Sequence, residues 1–138
     1  MAAGVTVQPR YAKPVEQARV ITITADKTLR ASENGALVVF NSSSSLIVTL
    51  PAAQKGLSYE VFVKTVPGSG VGPLIKVHGS TAKIYSKVSA TGATISESAG
   101  KGVVNTQATS VKGDSVRVTS DGTDWFVTDI AGTWAREA

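Results

Sequence analysis

The segment Lys112–Trp134 constrains the fold most, because it reads as two strands joined by a tight turn. In its first half Val116 and Val118 alternate with polar residues, a period of two that places both valines on one face of a strand. The turn that follows contains Gly122, which can adopt a positive φ without steric cost. The second half, Trp125–Ile130, is rich in aromatic and β-branched residues, as strands are. The segment therefore predicts a β-hairpin near the C-terminus.

Short stretches of β-forming residues also fill the earlier part of the chain. The longest, Leu57–Thr65, alternates so that Leu57, Tyr59, Val61 and Val63 share one face. Further strands are predicted at Val20–Thr24, Ala36–Phe40, Ser45–Leu50, Leu74–His78, Lys83–Tyr85 and Val103–Thr109. Many short strands with almost no helix predict an all-β fold, a small β-barrel or jelly-roll-like domain, with an open sandwich as the alternative.

Several details of this fold follow from local sequence. Ala36–Phe40 is apolar on both faces, so we expect it to be buried on both sides. Residues 36–50 are predicted to form a hairpin around a serine-rich turn, and Pro51–Gly56 forms one helical turn at most. The glycine-rich segment Pro67–Pro73 is predicted to be a mobile surface loop. Residues 87–102, which are rich in Ser, Ala, Thr and Gly, could hold a weak strand around Thr94 and Ile95 or form one long loop.

Length and charge limit the class of protein. The 138 residues fit one domain, and the net charge of +4 comes from scattered rather than clustered basic residues. The scatter argues against nucleic acid as a partner. No apolar run approaches the roughly 20 residues that span a bilayer, and the N-terminus lacks the order of a signal peptide, so no membrane partner and synthesis in a cytoplasm are expected. The low charged fraction of 17% suits tightly turned β-structure or a surface covered by partners.

The chain divides into an extended N-terminal arm, residues 1–19, and a single all-β domain, residues 20–138. Pro9 and Pro14 interrupt regular pairing and favour extended geometry in the residues before them. The arm nevertheless carries apolar side chains, which are unusual in a purely disordered tail. Two interpretations remain open: a terminus outside the fold, or an arm that lies on a partner or a neighbouring subunit.

The sequence offers little catalytic chemistry. His78 is the single histidine and hence the single candidate base for a serine–histidine–aspartate relay, and no serine lies in a GxSxG elbow. We therefore predict that the protein is not an enzyme and has no catalytic residues. A surface or hydrogen-bonded structural role is the alternative for His78.

Two other groups of residues are candidate binding sites. Asp114, Asp121, Asp124 and Asp129 could ligate calcium, but their spacing differs from a DxDxDG loop and the first two adjoin turn glycines, so turn formation is favoured. The glycines of 68–72 lack the GK[ST] ending of a phosphate-binding loop. No metal site and no cofactor are predicted.

Trp125 and Trp134 allow two interpretations. They could stack on a carbohydrate, or they could pack in the core or at a contact between subunits.

Two stretches together resemble a module that is common in virion proteins of tailed bacteriophages. The first runs ADKTLRASENGALVVFNSSSSLIVTLPAAQKGLSYEVFV, and the second is the C-terminal GDSVRVTSDGTDWFVTDIAGTW. The resemblance covers about residues 25–65 and 112–134. Such modules occur in capsid decoration (cement) proteins and in tail-fibre domains, and a short chain with an N-terminal arm resembles the decoration proteins.

The resemblance implies a function and a set of contacts. It implies a homotrimer on the outer capsid surface of the virion, bound to the major capsid protein and stabilising contacts between capsomers. It also implies that the arm contacts the capsid, through Val5, Val7, Gln8, Pro9, Arg10, Tyr11, Lys13, Pro14 and Val15. The alternative function is a tail-fibre or receptor-binding domain that recognises a host surface glycan, with Trp125, Trp134 and the 66–73 loop as candidates.

Overall fold

The computed structural model describes residues 19–86 and 97–138, and it confirms the prediction of a small all-β domain. Strands make up 42% of it, and two single-turn 3-10 helices, Ala31–Glu33 and Gln107–Thr109, are the helical elements of the described residues. The strands are β1 (Val20–Ile23), β2 (Lys27–Thr28), β3 (Leu37–Asn41), β4 (Ile47–Thr49), β5 (Ser58–Thr65), β6 (Leu74–Lys76), β7 (Ile84–Tyr85), β8 (Val103–Asn105), β9 (Ser115–Ser120), β10 (Trp125–Ala131) and β11 (Trp134–Arg136).

The strands form two sheets that enclose one core. Sheet A has the order β1-β3-β5-β9-β10-β7, and sheet B has the order β11-β8-β6-β4-β2. From β1 to β8 the chain places each successive strand in the other sheet. Each strand therefore has one face that packs against the opposite sheet. Even a short strand with polar residues on one face can in this way bury the apolar residues of its other face.

The first part of the chain winds like a coil. In sheet A, β1 pairs parallel with β3 and β3 pairs parallel with β5; in sheet B, β2, β4 and β6 do the same. Parallel neighbours need a crossover connection, and here the strand in the opposite sheet is part of that crossover. The later strands close the sheets with antiparallel pairs, β5 with β9, β9 with β10, β6 with β8, and β8 with β11.

The predicted hairpin of residues 36–50 is wrong. Leu37–Asn41 lies in sheet A and Ile47–Thr49 lies in sheet B, so the serine-rich turn connects the two layers. Both strands are apolar enough to be central strands, and each finds a parallel partner instead of the other. The separate expectation for Ala36–Phe40 is confirmed: Ala36, Val38 and Phe40 are in the core, and Val39 on the opposite face is also buried.

The C-terminal hairpin is confirmed. β9 pairs antiparallel with β10, with Trp125 opposite Ser120, and Val116 and Val118 face the core as their alternation predicted. The pairing shifts by one residue between Val127 and Asp129, which is a β-bulge. The bulge sets which side chains of β10 point outward beyond it.

The core holds most of the large apolar side chains. Its largest fully buried members are Trp125, Trp134, Tyr59 and Phe40, from both sheets. The rings of Tyr59 and Trp125 lie 6.0 Å apart at 45°, a tilted arrangement typical of aromatic pairs in interiors. The Tyr59 hydroxyl donates a 2.7 Å hydrogen bond to the Arg30 carbonyl, so its polar end is satisfied. Burial, and next the Glu33 carboxylate, raise the pKa of Tyr59.

The glycine-rich loop of residues 67–73 is held by its neighbours, unlike the mobile loop that the sequence suggested. The backbone of Gly68 bonds to Ser43, and the carbonyls of Val71 and Pro73 accept hydrogen bonds from Gln107 and Asn105 at 3.2 and 2.8 Å. These contacts fix the loop against the segment that follows β8.

Candidate interaction surfaces

The outer face of sheet A combines apolar side chains with a charged row. Strand register places Val20, Leu37, Glu60, Arg117 and Asp129 side by side across the sheet, pointing away from the core. The neighbouring outward row contains Thr22, Val39, Phe62, Ser115 and Ala131. The alternation of residues along β5 places Glu60 and Phe62 on this outer face, whereas Tyr59 and Val61 point into the core.

Four apolar side chains collect at the β1 end of this face. They are Val20, Leu37, Val39 and Phe62, on three adjacent strands, and we call them the β1 patch. Val20 is 57% exposed and Phe62 is 36% exposed, whereas Leu37 is half-buried and Val39 is buried among its neighbours. Phe62 is the outlier of its strand, since the other outward residues there are Ser58, Glu60 and Lys64.

A second apolar cluster lies at the other end of the same face. Phe126 of β10 and Tyr85 of β7 are opposite each other in register, and their rings stack with centroids 5.4 Å apart at 16°. Phe126 remains 38% exposed. We call this pair the β10 patch. Exposed large apolar residues that gather in one place mark interaction sites more often than isolated ones do.

The charged row separates the two patches. Arg117 donates to Glu60 over 3.2 Å, and Asp129, which is exposed, lies opposite Arg117 on β10. A shallow depression of about 310 Å³ opens beside this row and is lined by Leu37, Tyr59, Glu60 and Arg117 among others. An exposed pair of this kind contributes little to stability, so its main effect is to give the centre of the face a mixed polar character.

Sheet B also carries an apolar row on its outer face. Ile47, Leu74, Val104 and Ala135 are neighbours in register. Next to it a groove of about 330 Å³ is lined by Val71, Leu74 and Val104, and by the C-terminal residues 136–138. Val71 is 68% exposed, but the side chains of the row itself are buried or half-buried.

The C-terminal residues are fixed to sheet B by charge. Lys76 donates a 2.9 Å hydrogen bond to one oxygen of Glu137, and the backbone amide of Gly102 donates to the other. Burial would raise the pKa of Glu137, but the Gly102 amide and the Lys76 ammonium outweigh it and the pKa is lowered. The groove next to Val71 therefore has a structured wall.

The predicted capsid-contact residues lie outside the described residues. Val5, Val7, Gln8, Pro9, Arg10, Tyr11, Lys13, Pro14 and Val15 all precede Arg19, where the described chain begins. Arg19 leads directly into β1, and its carbonyl accepts a 2.8 Å hydrogen bond from Leu37. The described chain therefore begins at the edge of sheet A, next to the β1 patch.

The four aspartates do not come together. Asp121 serves its own turn, accepting hydrogen bonds from the amides of Thr123 and Asp124, and these bonds lower its pKa. Asp124 accepts from the Lys83 amide, and Asp114 is buried beside Asn105. Across residues 19–86 and 97–138, no group of three or more His, Asp or Glu side chains is placed to hold a metal ion. The turn interpretation is confirmed for Asp121.

Both tryptophans are core residues. Trp125 and Trp134 are essentially inaccessible, so neither ring can stack on a carbohydrate in this fold. The Trp134 indole donates to the Ala131 carbonyl over 2.9 Å. His78 is exposed and follows β6.

The two patches of sheet A were not predicted. The signal was present, because Phe62 and Phe126 fall at polar positions of the alternating pattern, where a monomer gains nothing by an exposed aromatic ring. The buried Asn105, which contacts three different segments, was not predicted either. No local pattern distinguishes that asparagine from a turn residue.

Fold and surface together define a small two-layered β-domain whose distinguishing features are outward apolar patches. No protein-family model matches the chain, and no curated protein is similar to it. None of the helices in the described part of the chain is long and apolar enough to span a bilayer.

Proposed function

We propose that this chain is a structural protein of a bacteriophage virion, a capsid decoration protein that binds the outer head surface as a homotrimer and stabilises contacts between capsomers. The observation that carries the proposal is the module resemblance of residues 25–65 and 112–134. Those residues contribute six strands of the described domain in full, β2, β3, β4, β5, β9 and β10. The partners are the major capsid protein and two further copies of the chain, and the protein is made in the host cytoplasm.

The point at which the described chain begins is compatible with the proposal. Arg19 leads into β1, which is an edge strand of sheet A. The arm sequence mixes apolar and basic side chains between Pro9 and Val15. An extended segment of this kind can add main-chain hydrogen bonds to a partner's sheet edge.

The chemistry of the domain supports a structural rather than an enzymatic role. The single histidine is exposed at the end of β6 and belongs to neither described groove. Asp121 and Asp124, the acids nearest to each other in the C-terminal hairpin, are occupied by backbone amides. What the domain presents to a partner is apolar surface on a rigid β-framework.

The test is binding of the purified protein to tailed-phage capsids that lack decoration protein, measured by co-sedimentation. The matched variant lacks residues 1–18 and keeps Arg19, because the Arg19 carbonyl bonds to Leu37. We expect the full chain to sediment with capsids and the truncated chain to stay in solution with unchanged circular dichroism. Equal binding by the two proteins would remove the arm's role, and no binding by either would contradict the decoration function.

A further inference from the structure

We propose that Asn34 is a site of spontaneous deamidation, and that Ser58, the first residue of β5, controls when the reaction can occur. Asn34 is followed by Gly35, and both residues are exposed. The main-chain nitrogen that follows an asparagine can attack the side-chain amide, and glycine has no side chain to hinder the attack. The inference does not depend on the proposed function.

Asn34 and Gly35 are the two central residues of a tight turn before β3. The Ala36 amide donates to the Glu33 carbonyl over 3.1 Å, and the φ of Gly35 is +84°, as a type II turn requires at its third residue. Two hydrogen bonds join this turn to Ser58. The Gly35 amide donates to the Ser58 carbonyl over 2.8 Å, and the Ser58 amide donates to Oδ1 of Asn34 over 2.7 Å. The Asn34 side chain therefore takes the place of a main-chain acceptor and extends the parallel pairing of β3 with β5.

Deamidation forms and breaks bonds at these same atoms. The Gly35 nitrogen loses its proton and bonds to Cγ of Asn34, which closes a succinimide ring, and the side-chain nitrogen leaves as ammonia. Water then opens the ring at either of its carbonyls and gives aspartate or isoaspartate. The net reaction consumes water and releases ammonia, and it needs no oxidant or reductant.

The folded geometry holds this reaction back. The attacking nitrogen of Gly35 keeps its proton in the hydrogen bond to Ser58, and the amide of Asn34 is held by its oxygen. Ring closure also requires Cβ of Asn34 to eclipse the Gly35 nitrogen about the Cα–C bond, and the extended ψ of 137° at Asn34 does not bring them together. Rotation about that bond breaks both contacts with Ser58. The reaction therefore waits until the start of β5 separates from the turn, a local opening of the kind that folded proteins undergo.

The other candidate positions are less reactive. Asn41 and Asn105, the remaining asparagines, are followed by serine and threonine, whose side chains hinder the attack. Asp121 precedes Gly122 and could close the same ring. Its side chain is a carboxylate at neutral pH, however, and a carboxylate is a poor electrophile. Asn34 is therefore the favoured site.

The two products affect the turn differently. Aspartate at position 34 retains an oxygen that can accept a hydrogen bond from the Ser58 amide, so the pairing with β5 can form again. Isoaspartate adds a methylene group to the main chain and displaces Gly35 relative to Ser58, so the two hydrogen bonds cannot form together. Isoaspartate at this position should therefore keep the start of β5 open.

The experiment follows the modification by mass spectrometry while the purified protein is incubated at mildly alkaline pH. Trypsin cleaves after Arg30 and Lys55, so one peptide contains both Asn34 and Asn41, and Asn41 is an internal control. In unfolding concentrations of urea we expect Asn34 to deamidate several-fold faster than Asn41. In native buffer we expect the reaction at Asn34 to be about tenfold or more slower than in urea, because it requires the opening.

Two glycine variants separate local opening from global unfolding. Gly56→Ala strains the backbone two residues before Ser58, where φ is +91°, and Gly79→Ala introduces a similar strain at φ +72° beyond β6, in the other sheet. At both positions the added Cβ has no described atom within 4 Å other than those of its chain neighbours. The variants are compared at urea concentrations that give them equal global stability. We expect Gly56→Ala to accelerate deamidation of Asn34 several-fold and Gly79→Ala to leave its rate unchanged.

Native-state hydrogen exchange provides a second readout of the same opening. The amide protons of Gly35 and Ser58 should exchange together, and Gly56→Ala should accelerate both. Equal deamidation of Asn34 and Asn41 in urea would overturn the choice of site. Equal rates at Asn34 in native buffer and in urea would show that Ser58 exerts no control. Equal acceleration by the two glycine variants, or acceleration by neither, would show that the start of β5 does not limit the reaction.

Discussion

The side-chain amide of Asn105 donates a 2.9 Å hydrogen bond to the carboxylate of Asp114 in the interior of the domain, and both residues are buried. The same amide nitrogen donates to the Thr133 carbonyl over 3.1 Å, and the side-chain oxygen of Asn105, Oδ1, accepts a hydrogen bond from the Ser110 hydroxyl. The Asn105 backbone amide bonds to Pro73. One side chain thus joins the end of β8 to the turn before β9 and to the turn before β11.

Replacing Asn105 should therefore be costly. Asn105→Ala leaves the buried Asp114 carboxylate without one of its donors and removes the contact with Thr133, and we expect a loss of about 3 kcal/mol in the free energy of unfolding. Urea unfolding monitored by tryptophan fluorescence measures it. The control is Asn41→Ala, which removes a single, partly buried hydrogen bond from Thr65 and should cost about 1 kcal/mol. Equal losses in the free energy of unfolding would show that the hydrogen bonds of Asn105 together contribute no more than the single hydrogen bond of Asn41.

Gly72 approaches Asn105 so closely that a side chain does not fit. A Cβ placed on Gly72 would lie 1.8 Å from the backbone carbonyl oxygen of Asn105, and the φ of Gly72 is +105°. We expect Gly72→Ala to destabilise the domain by about 3 kcal/mol or more, since both strain and displacement of the loop contribute. Gly35→Ala is the matched control, because φ there is +84° with nothing within 4 Å of the Cβ.

The control isolates the cost of the backbone conformation, about 1–2 kcal/mol. Thermal and urea unfolding of the two variants measure the difference. If Gly72→Ala costs no more than Gly35→Ala, the 67–73 loop moves freely to admit a methyl group, and its attachment to Asn105 is weaker than the hydrogen bonds indicate.

The sequence predicted those parts of the fold that depend on one strand at a time. Alternation correctly assigned the buried faces of β5 and β9, and the turn at Asp121–Gly122 correctly joined β9 to β10. The parallel pairing of β3 with β1 and β5 could not be predicted in this way. Along the chain, β2 lies between β1 and β3, and β4 lies between β3 and β5, and both of these intervening strands belong to sheet B. Two apolar segments that are adjacent in sequence have the same pattern whether they pair as a hairpin or lie in different sheets.

The candidate surfaces show the same limit. An apolar residue at a polar position, such as Phe62 or Phe126, was visible in the alternation, but its meaning depends on which strands are neighbours. Register across β1, β3 and β5 brings Val20, Val39 and Phe62 together from distant positions. A single strand cannot reveal that assembly.

The two tryptophans differ in how their indole nitrogens are satisfied. Trp134 donates to Ala131, whereas the Trp125 indole nitrogen is buried and has no partner in the described part of the chain. Both Trp→Phe changes remove similar volume from fully buried sites. Trp134→Phe also removes a hydrogen bond, so it should cost about 1 kcal/mol more than Trp125→Phe.

Urea unfolding of both variants measures this difference, and each retains one tryptophan as its fluorescence probe. Equal costs would indicate that the Trp125 nitrogen is satisfied in solution, for example by a buried water. A larger cost for Trp125→Phe would indicate that its contact with Tyr59 outweighs the hydrogen bond of Trp134.

Glu33 makes stability depend on pH. Burial by itself would raise the pKa of this carboxyl, but the Lys27 ammonium at 2.9 Å and the Arg30 backbone amide at 2.9 Å outweigh it, so the pKa in the folded protein lies below its ordinary value. A group whose pKa is lowered by folding stabilises the protein above its unfolded pKa, about 4.3 for Glu. That stabilisation disappears as the pH falls through the lower, folded value.

The free energy of unfolding should therefore decrease as the pH is lowered from about 5 to about 3. Glu33→Gln keeps an oxygen for the Arg30 amide but cannot ionise, so its stability should fall less steeply over this range. Lys27→Met should flatten the dependence in the same way, because Lys27 is the main cause of the lowered pKa. Some slope should persist in both variants, since Glu137 also has a lowered pKa. A Glu33→Gln protein with the full wild-type slope would show that the Lys27–Glu33 pair does not affect folding.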